Sequence, residues 1–421
     1  MDTGDNYEVK EIALAQQGEY NIAYAESEMK ALLKVRARFE REKPLKGLRI
    51  GLALHVTKET AALVKTLMAG GASVAICSCN PLSTQDDVAA ALAKSGVAVY
   101  AYKGEGKKEY YRYLNNVIKF RPQVTIDDGC DLVTEIHTRF PEMTKEVIVG
   151  CEETSTGVIR LMAMEKDNAL KYPMIAVNSN KTKHLFDNYY GTGQSTIDGI
   201  LRATNVMLAG KCLVVAGYGQ CSKGIALRAK GMGANVIVTE VNPLAALQAK
   251  MDGFRVMPML KAARLGQVFV TATGDRDVIR IEHVNAMPDG AILANSGHFD
   301  VEIDVKALEE AAKSKQRIRH QLDEYVMPSG KKVYLIGEGR LCNLASAEGH
   351  PSVVMSTSFC GQALAVEYGV KNKGRLKPGV HNLPEEIDME IARLQLEALG
   401  VKIDTLTDAQ SKYLASWKEG T

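Results

Sequence analysis

From Leu48 onward, short runs of β-favouring apolar residues alternate with longer stretches in which apolar positions recur every three or four residues. LRIGLALHV (48–56), SVAICSCN (73–80), VAVYAY (97–102) and QVTIDDG (123–129) read as strands. Between them KETAALVKTLMAGG (58–71), DDVAAALAKSG (86–96) and YYRYLNNVIKF (110–120) read as amphipathic helices, which is a βαβ rhythm. The strand runs are apolar on both pleat faces, as strands of a parallel sheet covered on both sides should be. The pattern predicts a first doubly wound domain over residues 1–182.

A long helix predicted over STIDGILRATNVMLAG (195–210) precedes a second series. Its strands are KCLVVAGYG, NVIVTEVNP, FRVMP, QVFVTATG and AILANSGHF, with KGIALRAKGMGA and LAALQAKMDG as helices among them. A second α/β unit is therefore expected over 195–349. Residues 350–381 are expected to return and pack on the first domain. Residues 382–421, polar and helix-rich, are expected to form a docking or oligomer arm. The expected class is α/β, with two doubly wound Rossmann-like domains, a small C-terminal helical arm and a ligand cleft between the domains.

Composition narrows the partners. The 421 residues carry 52 basic and 50 acidic side chains, so no long-range field argues for nucleic acid or an anionic membrane. A small molecule is the better default. The amino terminus lacks a basic and then apolar leader pattern, and no apolar run approaches the roughly 20 residues of a membrane span, so a cytoplasmic protein is expected. Eight cysteines scattered through apolar stretches suggest a reducing compartment. Cys77-Ser78-Cys79 has no second Cys/His pair at ligand spacing, and no metal is expected.

VVAGYGQCSKG (214–224) is the most local piece of chemistry. Gly217 permits a tight strand-to-helix turn, and Gly219 lets the backbone approach a pyrophosphate lying on the helix amino terminus. Glu240 closes the next strand, 23 positions on (240 minus 217), where an acid can accept hydrogen bonds from an adenosine ribose. Such a carboxylate would repel a 2′-phosphate, so NAD is expected over NADP. Ser222 occupies the place of a third glycine, which costs some helix-to-strand closeness, and Gly224 shares the packing role.

Five further stretches do not follow from that pattern: IDDGCD, CEETSTG, HLFDNYYGTGQS, NSGHFDVEID and AEGHP. Together, and in this order, they resemble the S-adenosylhomocysteine hydrolase family. The match runs from LAQQG near the start to LTDAQSKYL near the end. The resemblance implies tightly bound NAD and reversible cleavage of S-adenosylhomocysteine into adenosine and homocysteine, a product removal that relieves methyltransferases in one-carbon metabolism. It also implies a homotetramer. The chemistry explains the cofactor: a 3′-ketone acidifies the C4′ proton, whose removal expels the thiolate from C5′, after which water adds and the ketone is reduced again.

The resemblance carries roles onto particular residues. Lys183 would accept the O3′ proton, with a pKa lowered by its surroundings, and Asp187 would bind the ribose hydroxyl. Asp128 would be the general base at C4′, with His55 assisting thiol departure or water activation. His298 would stand near nicotinamide and ribose. Thr57, Glu59, Glu153 and His350 would bind substrate. Thr154, Ser155, Thr156, Asn188, Gln220, Cys221, Lys223, Thr273, Ser296, Gly297 and Asn343 would join the glycines, Ser222 and Glu240 around the cofactor.

Taken singly, these residues also admit plainer readings. Lys183 and Asp187 could be a surface i,i+4 ion pair worth about 0.3–0.5 kcal/mol. Asp127-Asp128-Gly129 could be turn chemistry, His55 a core histidine, 154–156 a helix cap run and Glu59 a solvated helix-start acid. A carboxylate at Glu59 suits adenine's amino group better than hypoxanthine's carbonyl oxygen, which favours the adenosyl substrate. Cleavage of S-inosylhomocysteine, net dehydrogenation and an idle NAD-binding protein are the rivals.

Some positions depart from the family. Thr192 stands where many members have a cysteine beside the nicotinamide, and a threonine cannot supply a thiolate, so no redox tuning by that sulfur is expected. Asn242 and Ala245 replace an aspartate and an asparagine. The chain ends at ASWKEGT without the Lys- and Tyr-bearing tail of many members, as in shorter archaeal and thermophile-like forms.

Overall fold

The computed structural model describes residues 1–4 and 6–418. The first eight strands are β1 (Asp2–Gly4), β2 (Tyr7–Val9), β3 (Arg49–Ala53), β4 (Ser73–Cys77), β5 (Ala98–Ala101), β6 (Val124–Asp127), β7 (Val149–Glu152) and β8 (Pro173–Ala176). The next eight are β9 (Cys212–Ala216), β10 (Asn235–Thr239), β11 (Arg255–Val256), β12 (Val268–Thr271), β13 (Ala291–Asn295), β14 (Ser314–Arg319), β15 (Leu322–Val326) and β16 (Lys332–Ile336). One more, β17 (Gly379–His381), follows the long helix Ser352–Lys371.

Two sheets result, as the two series of apolar runs predict. The first has the order β1-β2-β5-β4-β3-β6-β7-β8-β17 and is parallel apart from the β1–β2 pair. The second has the order β11-β10-β9-β12-β13-β16-β15-β14, with an antiparallel edge formed by β14, β15 and β16. Strand order reverses between β3 and β6 in the first sheet and between β9 and β12 in the second. In doubly wound sheets, ligands sit at the carboxyl ends of the strands flanking such a reversal. His55 and Asp128 leave β3 and β6, and Gly217 leaves β9. Apolar clusters cover each sheet, one on each face.

The predicted helix over 195–210 is shifted. It runs from Thr192 to Thr204 and stops at Asn205, whose left-handed φ of 56° caps it. Phe359, Cys360, Ala363 and Leu364 of helix Ser352–Lys371 join the first domain's core, and β17 pairs in parallel with β8. The boundary drawn at 382 falls inside this packed unit. Helix Glu385–Ala398 buries Ile391, and its Asp388 accepts hydrogen bonds from the Lys181 and Thr182 backbone N–H groups. Beyond it, residues 401–418 are exposed. No described helix is long and apolar enough to cross a membrane.

Candidate active site

Parallel strands aim their carboxyl ends one way, so residues just past β3, β6 and β7 converge at one rim of the first sheet. His55, Asp128 and Glu153 are those residues. The second sheet presents the loop after β13, with Ser296 and His298, to the same space. Between them lies a cavity of about 830 Å³. His55, Thr57, Glu59, Asp128, Glu153, Thr154, Lys183, Asp187, Asn188, Cys221, Ser296, His298, Asn343 and His350 all line it.

Burial disposes of two plainer readings. Lys183 and Asp187 are 5% and 3% exposed with Nζ 3.2 Å from Oδ1, so they are no surface pair. Glu59 is 2% exposed; its Oε1 accepts the Ser352 hydroxyl at 2.6 Å and lies 3.5 Å from Lys58 Nζ. It is not a solvated acid. Thr57 does cap helix Lys58–Ala69, accepting from the Thr60 N–H. Thr154 precedes helix Ser155–Lys166 without a side-chain cap bond, which leaves its hydroxyl to the cavity.

Lys183 is the hub. Its ammonium donates to Asn188 Oδ1 at 2.8 Å and Asn178 Oδ1 at 3.3 Å, with Glu153 Oε1 at 3.7 Å. Burial pulls its pKa down, but the Asp187, Glu153 and Asp128 carboxylates outweigh it and hold it above the ordinary lysine value. The expected lowering is thus reversed, because the neighbours are anionic rather than cationic. Burial raises the Asp187 carboxyl, yet Lys183 and His350 carry it well below the usual range. Burial pushes Glu153 up to about 8, against the pull of Lys183. Burial thus favours the neutral form of Glu153 beside the Lys183–Asp187 ion pair.

Asp128 stands between two imidazoles. Oδ2 is 3.3 Å from His55 Nε2, and Oδ1 is 3.4 Å from His298 Nδ1. Burial lowers the His55 pKa to about 4 despite Asp128, with His298, His350 and Lys183 adding to the fall. The ring is therefore neutral and able to accept a proton. Asp127 and Glu152, paired across β6 and β7, lie behind this row. Asp127 accepts from the Asp128 and Val133 N–H groups, and Glu152 from those of Gly129 and Thr154, so the two acids shape the turns that carry Asp128 and Glu153.

The phosphate turn fits a dinucleotide. Gly217 has φ 93°, nothing lies within 4 Å of where a Gly219 side chain would begin, and helix Gln220–Gly231 has no side-chain cap. Its first N–H groups are thereby available to phosphate. Glu240 accepts from the Tyr218, Val241 and Asn242 N–H groups, which fixes its carboxylate at the end of β10. Ser222 turns its hydroxyl to the Ala272 carbonyl at 3.0 Å and stays fully buried, so helix and strand remain close. Gly224 packs elsewhere than expected: a Cβ there would meet the Tyr189 carbonyl oxygen at 1.9 Å, and Gly193 faces it.

The structure gathers some cofactor candidates less directly. Gln220 and Lys223 face a separate outer cavity with Tyr189 and Tyr218. The Thr273 hydroxyl donates to Glu302, the Ser155 hydroxyl accepts from Asn178, and a side chain at Gly297 would collide with Glu302. Thr156 reaches across towards Gly274. Asn242 caps helix Pro243–Met251. Thr192 and Cys221 line the same cavity, so a thiol stands in the site although position 192 carries none.

Sequence reasoning missed Asn178, Ser195, Ser358 and Gln362. The Ser358 hydroxyl donates to Asp187 Oδ2 at 2.7 Å, Gln362 Nε2 donates to Glu153 Oε2, and the Ser195 hydroxyl lies 3.0 Å from His350 Nδ1. Ser358 and Gln362 stand four apart on a helix with apolar residues on every face. Polar groups with no wet side to turn to were the available signal.

Comparison with known proteins closes the description. Residues 6–145 match the family model "S-adenosyl-L-homocysteine hydrolase", and residues 188–349 match its "NAD binding domain". The S-inosyl-L-homocysteine hydrolase of Methanocaldococcus jannaschii is 58% identical over 99% of this chain and 100% of its own length. The adenosylhomocysteinase of Sulfurisphaera tokodaii is also 58% identical, over 99% and 100%. That of Aquifex aeolicus is 57% identical over the same shares.

Proposed function

The chain belongs to the S-adenosyl-L-homocysteine hydrolase family, and from that premise we propose that it splits S-adenosyl-L-homocysteine into adenosine and L-homocysteine. NAD is its cofactor. Overall identity does not choose the purine, because an inosyl and an adenosyl enzyme are equally similar to it. The observation that carries the choice is Glu59: a buried carboxylate whose Oε1 is already engaged by Ser352 and Lys58. The other oxygen is left as an acceptor, which suits an exocyclic amino group and opposes a carbonyl oxygen.

Bound NAD would supply the reversible two-electron oxidation chemistry at C3′. The protein's own groups do the rest. Asp187, anchored by Ser358, binds the ribose hydroxyls beside Lys183. Glu153, protonated and held by Gln362, can donate to a ribose oxygen. Lys183 enters the cycle as an ammonium and must release that proton to solvent before its amine accepts the O3′ proton, so catalysis rises with pH across the neutral range. Asp128 takes the C4′ proton. His55, neutral on entry and 3.3 Å from Asp128, is suited to relay that proton to the departing thiolate and then to accept a proton from the water that adds at C5′.

Thr154, Asn188, Ser296 and Asn343, which line the cavity, would contact the cofactor, while the turn from Gly217 to Gly224 would take its pyrophosphate and Glu240 its adenosine ribose. The exposed arm residues Ile403, Leu406, Tyr413, Leu414 and Trp417 support a homotetramer, since such apolar side chains favour a partner surface. A cytoplasmic setting accords with eight free cysteines.

One assay tests the reading: thiol release from S-adenosyl- and S-inosyl-homocysteine by purified holoenzyme, with free NADH followed in parallel. Faster thiol release from the adenosyl substrate, with no NADH accumulating, is expected. Preference for the inosyl substrate overturns the purine assignment, and NADH without thiol overturns the hydrolase.

A further inference from the structure

The two contacts around Asp128 are long for what they join. Charge-assisted N–H···O bonds measure about 2.7–2.9 Å, against 3.3 Å to His55 Nε2 and 3.4 Å to His298 Nδ1. Two ligand atoms each about 2.1 Å from a tetrahedral zinc-class ion stand roughly 3.4 Å apart, which is the spacing of each ring nitrogen from its own Asp128 oxygen. Ligand atoms of His55, Asp128 and His298 all lie within 4.8 Å of one another.

The two rings are also held from behind. His55 Nδ1 is 2.8 Å from Ser83 Oγ, which in turn lies 3.0 Å from the Asn80 carbonyl, a pure acceptor. With the serine proton on that carbonyl, Nδ1 is the donor and the Nε2 lone pair faces Asp128. His298 is seated against Gly129, where a Cβ would come within 2.3 Å of Nε2, and this close fit turns Nδ1 to the carboxylate. Orientation of an imidazole through its far side is the usual support of a metal-binding histidine. Sequence spacing gave no hint of it, because the three ligands leave three separate strands.

We propose that His55, Asp128 and His298 bind one divalent ion of the zinc class, with its remaining coordination position open to the cavity. Two nitrogen donors and one carboxylate favour zinc or cobalt over magnesium or calcium, which prefer oxygen ligands. The ion covers Asp128 and His55, and so competes with the sugar for the same space. Zinc is on this account an inhibitor that occupies the enzyme in place of substrate.

The test titrates holoenzyme with Co²⁺ and reads its visible absorption, with Zn²⁺ calorimetry for stoichiometry. One ion per subunit at micromolar concentration is expected, with a tetrahedral-type band that adenosine removes. Asp128→Asn and His298→Gln, each checked for folding by circular dichroism, should lose the band. Zinc should raise KM for S-adenosylhomocysteine and leave kcat unchanged. The binding arm stands without the substrate reading; the competition arm rests on it. No saturable binding, or an unchanged band in both folded variants, overturns the site. Zinc inhibition that lowers kcat at constant KM overturns its placement over the sugar.

Discussion

The two rims that meet across the cleft are built from different material. The first sheet's side contributes ionisable side chains perturbed by burial and by one another: a raised lysine, a depressed aspartate, a raised glutamate and a histidine lowered to about 4. The second contributes His298 to the cavity but otherwise glycines, backbone N–H groups and a serine bonded to a strand carbonyl. Binding a pyrophosphate needs a shape that admits backbone, whereas moving protons needs groups whose charge can change. Damage to the first rim should therefore stop chemistry and spare cofactor binding, and damage to the second should do the reverse.

The largest expected effect comes from Lys183→Ala, which should lower kcat by about 10³-fold with NAD still bound. Loss of NAD in that variant would break the comparison. Gly224→Ala pushes a methyl group against the Tyr189 carbonyl. It should cost about 1–3 kcal/mol in a denaturant titration and release NAD. Full NAD occupancy with unchanged stability would show that the close approach is dispensable. Ser358→Ala leaves Asp187 without a hydroxyl donor and should reduce kcat about tenfold with NAD content unaltered. An unchanged kcat would remove Ser358 from the first rim's machinery.

The smallest effect is one of pH. Glu153 has a folded pKa raised to about 8 by burial, so its neutral form is favoured by the fold. The stability it contributes is full below the ordinary glutamate pKa and is lost as pH rises through about 8. Glu153→Gln keeps a neutral side chain and should flatten that loss, seen as a Tm gain over wild type that grows from acid to mildly alkaline pH. A constant difference would place the titration elsewhere.

The same contrast explains what could be read in advance. The second rim is local: strand, glycines, helix and terminal acid follow one another within 214–240, so their purpose shows in their order. The first rim is assembled from distant pieces, and each residue alone has a plainer reading that only burial removes. Resemblance supplied those roles, yet it gave the wrong direction for Lys183, whose pKa depends on three acids from separate segments. In the fold, β14 was invisible because SKQRIR is polar and exposed along its length. β1 and β2 are three residues each, too short to carry a period.

The return of the chain to its first sheet also sets a timetable. Glu59 meets Ser352 across 293 residues and Glu153 meets Gln362 across 209, while β17 completes the sheet 206 positions after β8 begins (379 minus 173). At about 5–20 residues per second of synthesis, the first domain waits roughly 10–40 s for its last strand. Its half-built pocket spends that interval on the ribosome without Ser358 or Gln362. Newly made enzyme thus gains its catalytic pocket only after the residues up to 381 have left the ribosome.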